Sequence, residues 1–232
     1  MKTIGLLGGM SWESSIEYYR IINEEVKARL GGLHSAQSLM YSVDFAEIEK
    51  RQHTGDWDAL TQVMIDAAKR LKRGGADFLV ICTNTMHRMA PEVSSAITIP
   101  LLHIIDATAD AIHKKGLDTV GLLGTRFTME GDFYRGKLEN DHGLKVLIPD
   151  DEGRETVHRI IYDELVQGII REDSRKAYLD VIGDLQSRGA QGVILGCTEI
   201  PLLVKQKDVT IPIFDTTTIH AKAAVDWALR IS

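Results

Sequence analysis

The chain is short of the residues that announce the commonest chemistries. It has two cysteines in 232 residues, Cys82 and Cys197. That rules out a disulfide framework, and their wide separation is not a zinc pattern. No apolar run approaches the roughly 20 residues of a membrane span. No long basic run interrupts a net charge of −6, so nucleic acid and anionic membranes are poor partners. There is no phosphate loop, and Gly5-x-x-Gly8-Gly9 lacks the spacing of a dinucleotide fingerprint. No metal-ligand cluster or Schiff-base lysine stands out, so no cofactor is expected. Met1-Lys2-Thr3 runs straight into an apolar strand and leaves no room for a signal peptide, which points to the cytoplasm. Hydrophobic residues at 44% and charged residues at 26% fit a globular protein with a sizeable core.

What is present is a set of short apolar runs that stop at glycine, cysteine or threonine. Val193-Ile194-Leu195-Gly196-Cys197-Thr198-Glu199 reads as a buried parallel strand meeting its C-terminal end, where ligands of open α/β sheets gather. Phe78-Leu79-Val80-Ile81-Cys82-Thr83-Asn84-Thr85 echoes it. Thr3 to Gly8 is the first strand, and Gly8-Gly9 a turn that can shape an anion site. A helix follows with apolar spacing at Ile16, Tyr19, Ile22 and Val26. Ser38 to Val43 reads as a strand, Phe45 to His53 as a connecting segment, and Trp57 to Arg73 as a helix closed by Gly74-Gly75. Asp77 to Cys82 and Thr98 to Leu102 complete four strands, and the last helix spans about Thr218 to Arg230.

The pattern then repeats. Thr119-Val120-Gly121-Leu122-Leu123-Gly124 copies Thr3 to Gly8 at an offset of 116, and Thr98-Ile99-Pro100 returns as Thr210-Ile211-Pro212 at 112. An internal duplication of two α/β halves is expected, each with a roughly four-stranded parallel sheet flanked by helices. The halves are expected to be related by a pseudo-twofold, with the active site in the cleft between them. The boundaries read 1–100 plus 213–232 for the first domain and 101–212 for the second. Two strand-end motifs facing one another suit inversion of a stereocentre. By the repeat alone, Cys197 pairs either with Cys82 at 115 or with Thr83 at 114. His87, His103 and His220 lie near strand ends and could tune a cleft, though a single histidine is more often a satisfied core or surface residue. For Cys197, the bland reading is a small buried hydrophobe. Its strand-end position favours a thiolate base with its pKa lowered by a helix N-terminus.

Gly8-Gly9-Met10-Ser11-Trp12-Glu13-Ser14, Thr83-Asn84-Thr85-Met86-His87, Gly124 to Met129 and Gly196-Cys197-Thr198-Glu199 together resemble the cofactor-independent aspartate/glutamate racemases, in their aspartate-racemase-like branch. The resemblance implies two α/β domains, a homodimer, no pyridoxal phosphate, and a small amino-acid substrate with two carboxylates. It implies Thr83 and Cys197 as the catalytic pair, with Met10, Gln52, Thr83, Asn84, Thr85, Thr125, Thr198 and Glu199 contacting substrate. The family's first motif normally carries cysteine where Thr83 stands. With Cys197 as base and a threonine hydroxyl opposite, the implied enzyme is lopsided toward L-aspartate and L-glutamate. The alternatives are a one-cysteine relative that decarboxylates malonates or isomerises maleate, and a small-molecule binding protein.

Overall fold

In the computed structural model, which describes residues 1–229, the chain divides into two compact units. One comprises residues 1–104 with the described residues from 220 on; the other is Ile105–Ile219. The first unit runs β1 (Ile4–Gly8), α1 (Trp12–Leu30), β2 (Ser38–Ser42), α2 (Phe45–Thr54), α3 (Trp57–Arg73), β3 (Phe78–Ile81), a 3-10 turn (Thr85–Met89), α4 (Ala90–Ala96) and β4 (Leu101–Leu102). Its sheet has the order β2-β1-β3-β4, all parallel. From α5 (Ile104–His113) the second unit repeats the scheme. It continues through β5 (Thr119–Gly124), α6 (Arg126–Glu130), α7 (Asp132–Asn140), β6 (Lys145–Leu147), α8 (Asp151–Asp163), α9 (Glu172–Ser187), β7 (Val193–Gly196), α10 (Ile200–Leu203) and β8 (Ile213–Asp215). Its sheet has the matching order β6-β5-β7-β8. The final helix α11 (Thr216–Leu229) starts in the second unit and ends in the first. Arg230, where that helix was expected to end, lies outside the described residues. The α/β class with two four-stranded parallel sheets is as the repeat predicts.

The strands are near-continuous aliphatic runs because helices cover both faces of each sheet. In the first unit Ile4, Leu6, Phe78 and Val80 pack with Tyr18, Ile22 and Val26 of α1 and with Ala221, Ala224 and Val225 of α11. Leu7, Leu79 and Ile81 face the other way, onto Leu60, Met64 and Leu71 of α3. Each of the buried Val, Leu, Ile, Phe and Met side chains contributes roughly 1.5–3 kcal/mol relative to exposure. This layering fixes the strand ends, and with them every loop that follows.

Two local expectations are corrected. Residues 45–53 are not a connecting segment but most of helix α2; the Asp44 carboxylate accepts from the Ala46 amide and Gly55 closes the helix in the left-handed region. In α1 the buried face is Tyr18, Ile21, Ile22 and Val26, whereas Ile16 and Tyr19 stand 51% and 55% exposed. Ile22 and Val26 are buried as the spacing predicts, and the stripe continues to Tyr18 and Ile21 in place of Ile16 and Tyr19, because the apolar residues of this helix cover more than its buried face.

Candidate active site

Of the eight implied contact residues, Met10, Thr83, Asn84 and Thr85 follow strand ends of the first unit, and Gln52 lies on its helix α2. After β1, Gly9 takes φ +89, and a Cβ there would lie 2.3 Å from the Val43 carbonyl oxygen, so only glycine makes this turn. The Gly9 amide donates to Ser15 Oγ (2.8 Å), and the Ser14 and Ser15 hydroxyls donate to the Ser11 carbonyl. Met10 is buried at this turn. Gln52, buried on α2, points its Nε2 at Met86 Sδ (3.3 Å). Thr83, Asn84 and Thr85 follow β3 and are also buried. Trp12 is 61% exposed and lines a groove of about 350 Å³ with Ile16, Tyr19 and Met40, the last from the edge strand β2.

The histidines are fixed by chemistry. The Ile104 amide donates to His87 Nε2 (3.2 Å), so that nitrogen carries no proton, and Nδ1–H donates to the Thr83 carbonyl (2.7 Å). His220 Nε2–H donates to the Leu102 carbonyl (2.9 Å), leaving Nδ1 to accept from the Tyr18 hydroxyl (2.9 Å). Burial pushes both pKa values down, His220 to about 3, with His103 adding to the effect on each. These two rings are neutral structural groups.

In the second unit Thr125 caps α6, its Oγ1 accepting from the Thr128 amide (3.3 Å). Cys197 Sγ donates to Glu199 Oε2 (3.0 Å), and the half-buried Thr198 hydroxyl donates to the same oxygen (2.7 Å). The thiol pKa is pushed well above its ordinary value, by burial first and by the Glu199 carboxylate second. The expected lowering by a helix N-terminus is therefore corrected. The nearest helix, α10, begins three residues later and has only four residues, while a carboxylate sits against the sulfur. The resting group is a thiol hydrogen-bonded to a base. Spacing did not show Glu199 in that role; an acidic residue two places after a strand-end cysteine was the available signal.

Ladder register relates the two motifs. Leu7 pairs with Ile81 across β1 and β3, and Leu123 pairs with Leu195 across β5 and β7. Leu7 and Leu123 are repeat equivalents, so Ile81 matches Leu195, and Thr83, two residues on, matches Cys197. Cys82 matches Gly196, where a Cβ would come within 2.9 Å of the Leu123 carbonyl oxygen. Cys82 is a core residue, fully buried among Ile4, Leu6 and Val80, and burial pushes its thiol pKa up.

A family model described as Asp/Glu/hydantoin racemase matches residues 7–224. This chain belongs to that family. Among solved structures, a Yersinia pestis protein proposed as an Asp/Glu racemase is 58% identical, with a TM-score of 0.93 over 99% of this chain and 100% of that one. An aspartate racemase homologue from Pyrococcus horikoshii OT3 is 36% identical, with a TM-score of 0.86 over 99% and 100%. The broad specificity amino-acid racemase RacX of Bacillus subtilis is 25% identical over 75% of this chain and 74% of its own length. The racemase likeness thus spans both sheets and both strand-end motifs. It supports an isomerase acting on amino acids. No helix among the described residues is long and apolar enough to cross a membrane.

Proposed function

We propose that this racemase-family chain interconverts the enantiomers of aspartate and glutamate without a cofactor, acting on the L forms far better than the D forms. The observation that carries the reading is the Cys197 thiol held 3.0 Å from the Glu199 carboxylate. Glu199 accepts the thiol proton, and the thiolate removes the α-proton of the L-substrate. The carbanion is reprotonated on the opposite face by the Thr83 hydroxyl, which takes a proton from a solvent water as it gives up its own, and protonated Glu199 returns its proton to the resulting hydroxide. An alkoxide is not accessible near neutral pH, so Thr83 relays a proton but is a poor base. That asymmetry is the source of the preference for L-substrate. Met10, Gln52, Thr83, Asn84, Thr85, Thr125, Thr198 and Glu199 are assigned to substrate contact, with amides and hydroxyls at the strand ends taking the two carboxylates.

The 36% identical aspartate racemase homologue supports an acidic substrate. A cytoplasmic homodimer is part of the same reading. The exposed stripe of Trp12, Ile16 and Tyr19 supports self-association, and sedimentation of parent and Ile16→Asp tests it. The test of the activity is incorporation of solvent deuterium at the α-carbon of L-aspartate and L-glutamate. Incorporation with appearance of the D enantiomer sustains the reading. Because Cys197 is the single cysteine at an equivalent position, decarboxylation of a malonate without exchange is the outcome that would replace it.

A further inference from the structure

We propose that His87 is a positioning residue, aiming the Thr83 hydroxyl by holding the Thr83 carbonyl, an inference that rests on the role assigned to Thr83 above. The last backbone bond of the β1–β3 region is the Cys82 amide to the Leu7 carbonyl (2.9 Å). Beyond it the chain leaves the sheet. Thr83 is then gripped from its other side, its carbonyl accepting from His87 Nδ1–H at 2.7 Å. The His87 amide donates to the Asn84 carbonyl (3.1 Å), so residues 83–87 close into a ring on the strand end.

The ring of His87 is itself immobilised. Its Nε2 accepts from the Ile104 amide just after β4. It packs against His103 at 4.6 Å and His220 at 5.7 Å between ring centroids. His220 is tied to Tyr18 of α1 and to Leu102 of β4. A chain of contacts from α1, α11 and β4 therefore ends on the backbone of Thr83. A buried imidazole with both nitrogens committed has one tautomer and one orientation. Cys197, in the equivalent place, has its carbonyl held by the Ile200 backbone amide (3.3 Å) and its sulfur by a carboxylate; the Thr83 carbonyl is held by an imidazole side chain that other elements fix.

The test uses two amide variants that split the two nitrogens. Asparagine can place an N–H where His87 Nδ1 lies and keep the Thr83 bond. Glutamine reaches only the Nε2 position, keeping the Ile104 bond and losing Thr83. Each is assayed in D2O on L-aspartate for two rates, α-proton exchange in the remaining L-substrate and formation of D-aspartate. If His87 acts through Thr83, His87→Gln lowers the ratio of inversion to exchange about tenfold while His87→Asn stays within about twofold of the parent, because a misplacement of about 1 Å at a reacting group can cost up to ~10²-fold. Equal ratios in both variants, or inversion and exchange falling in step, overturn the inference. A parent that exchanges nothing overturns the racemase reading itself. Should either variant not fold, the 15N resonances of the parent's His87 decide, since a proton found on Nε2 rather than Nδ1 removes the Thr83 bond and the inference with it.

Discussion

Thr83 holds in the first sheet the position that Cys197 holds in the second, each two residues beyond a leucine-paired strand residue. The pairing of Cys82 with Cys197 that the bare repeat allows is thereby replaced, and a substitution follows from it. Thr83→Cys installs a thiol at the equivalent place, and proton removal from D-aspartate and D-glutamate should rise toward the L rate. Cys82→Ala should change neither rate and should cost roughly 1 kcal/mol of stability, as for one small buried side chain. Chiral assays from both enantiomers on both variants check this; loss of both activities in Cys82→Ala would restore Cys82 as the partner.

Cys197→Ser replaces a thiol that can ionise beside Glu199 with a hydroxyl that cannot. Turnover of L-substrate should fall by roughly 10²–10⁴-fold, the usual contribution of a positioned acid or base. Thermal melting should move little, because the side chain keeps its size and can still donate to Glu199. Near-parent turnover would take Cys197 out of the mechanism.

The pKa of Cys197 sets a pH dependence. Burial and then Glu199 hold the thiol well above its ordinary value, so the neutral form dominates at pH 7 and the thiolate fraction grows as pH rises. Alkylation of Cys197 by iodoacetamide should accelerate through the alkaline range without levelling near pH 8.5, the pKa of a free thiol. Glu199→Gln removes the negative neighbour, so the alkylation midpoint should move down in pH. Turnover should nevertheless fall about 10²-fold, because the proton acceptor is gone. A lower midpoint with retained turnover would leave Glu199 as an electrostatic neighbour only.

How far these features can be read in the sequence depends on their range. Both sheets follow from period and repeat, since buried parallel strands write themselves as aliphatic runs. Helix α2 was not readable, because it buries only Ile48 and Gln52 and so shows no stripe. The Asp44 and Gly55 caps were its better signals. The implied contacts Asn84 and Thr85 sit together after β3 because motif order dictates it. The partner of Cys197 is different, since whether Glu199 turns toward the thiol or toward solvent is a rotamer choice set by packing. His87 lies four residues after Thr83, a spacing that closes a turn, but its second bond, to Ile104, is a tertiary contact with no local trace.

The neutral His220 should make the fold acid-sensitive. Its pKa is pushed down to about 3, by burial first and by His103, against the opposing Leu102 carbonyl. In the unfolded chain it returns to about 6.5. Between those values the unfolded state binds the extra proton, so stability rises with pH. The contribution is fully present above about pH 6.5 and is lost as pH falls toward 3, at about 1.4 kcal/mol per unit. The groups that meet the ring are Tyr18 from α1, the Leu102 carbonyl from β4, and His87, with His103 acting at longer range. None supplies a negative charge to hold a protonated ring. His220→Gln can keep a donor to Leu102 without a titrating nitrogen. Its melting temperature should start below the parent's at pH 7.5, for lost packing, and should fall less steeply between pH 6.5 and 4. Parallel curves for the two proteins across that range would show that His220 is not the group whose protonation weakens the fold.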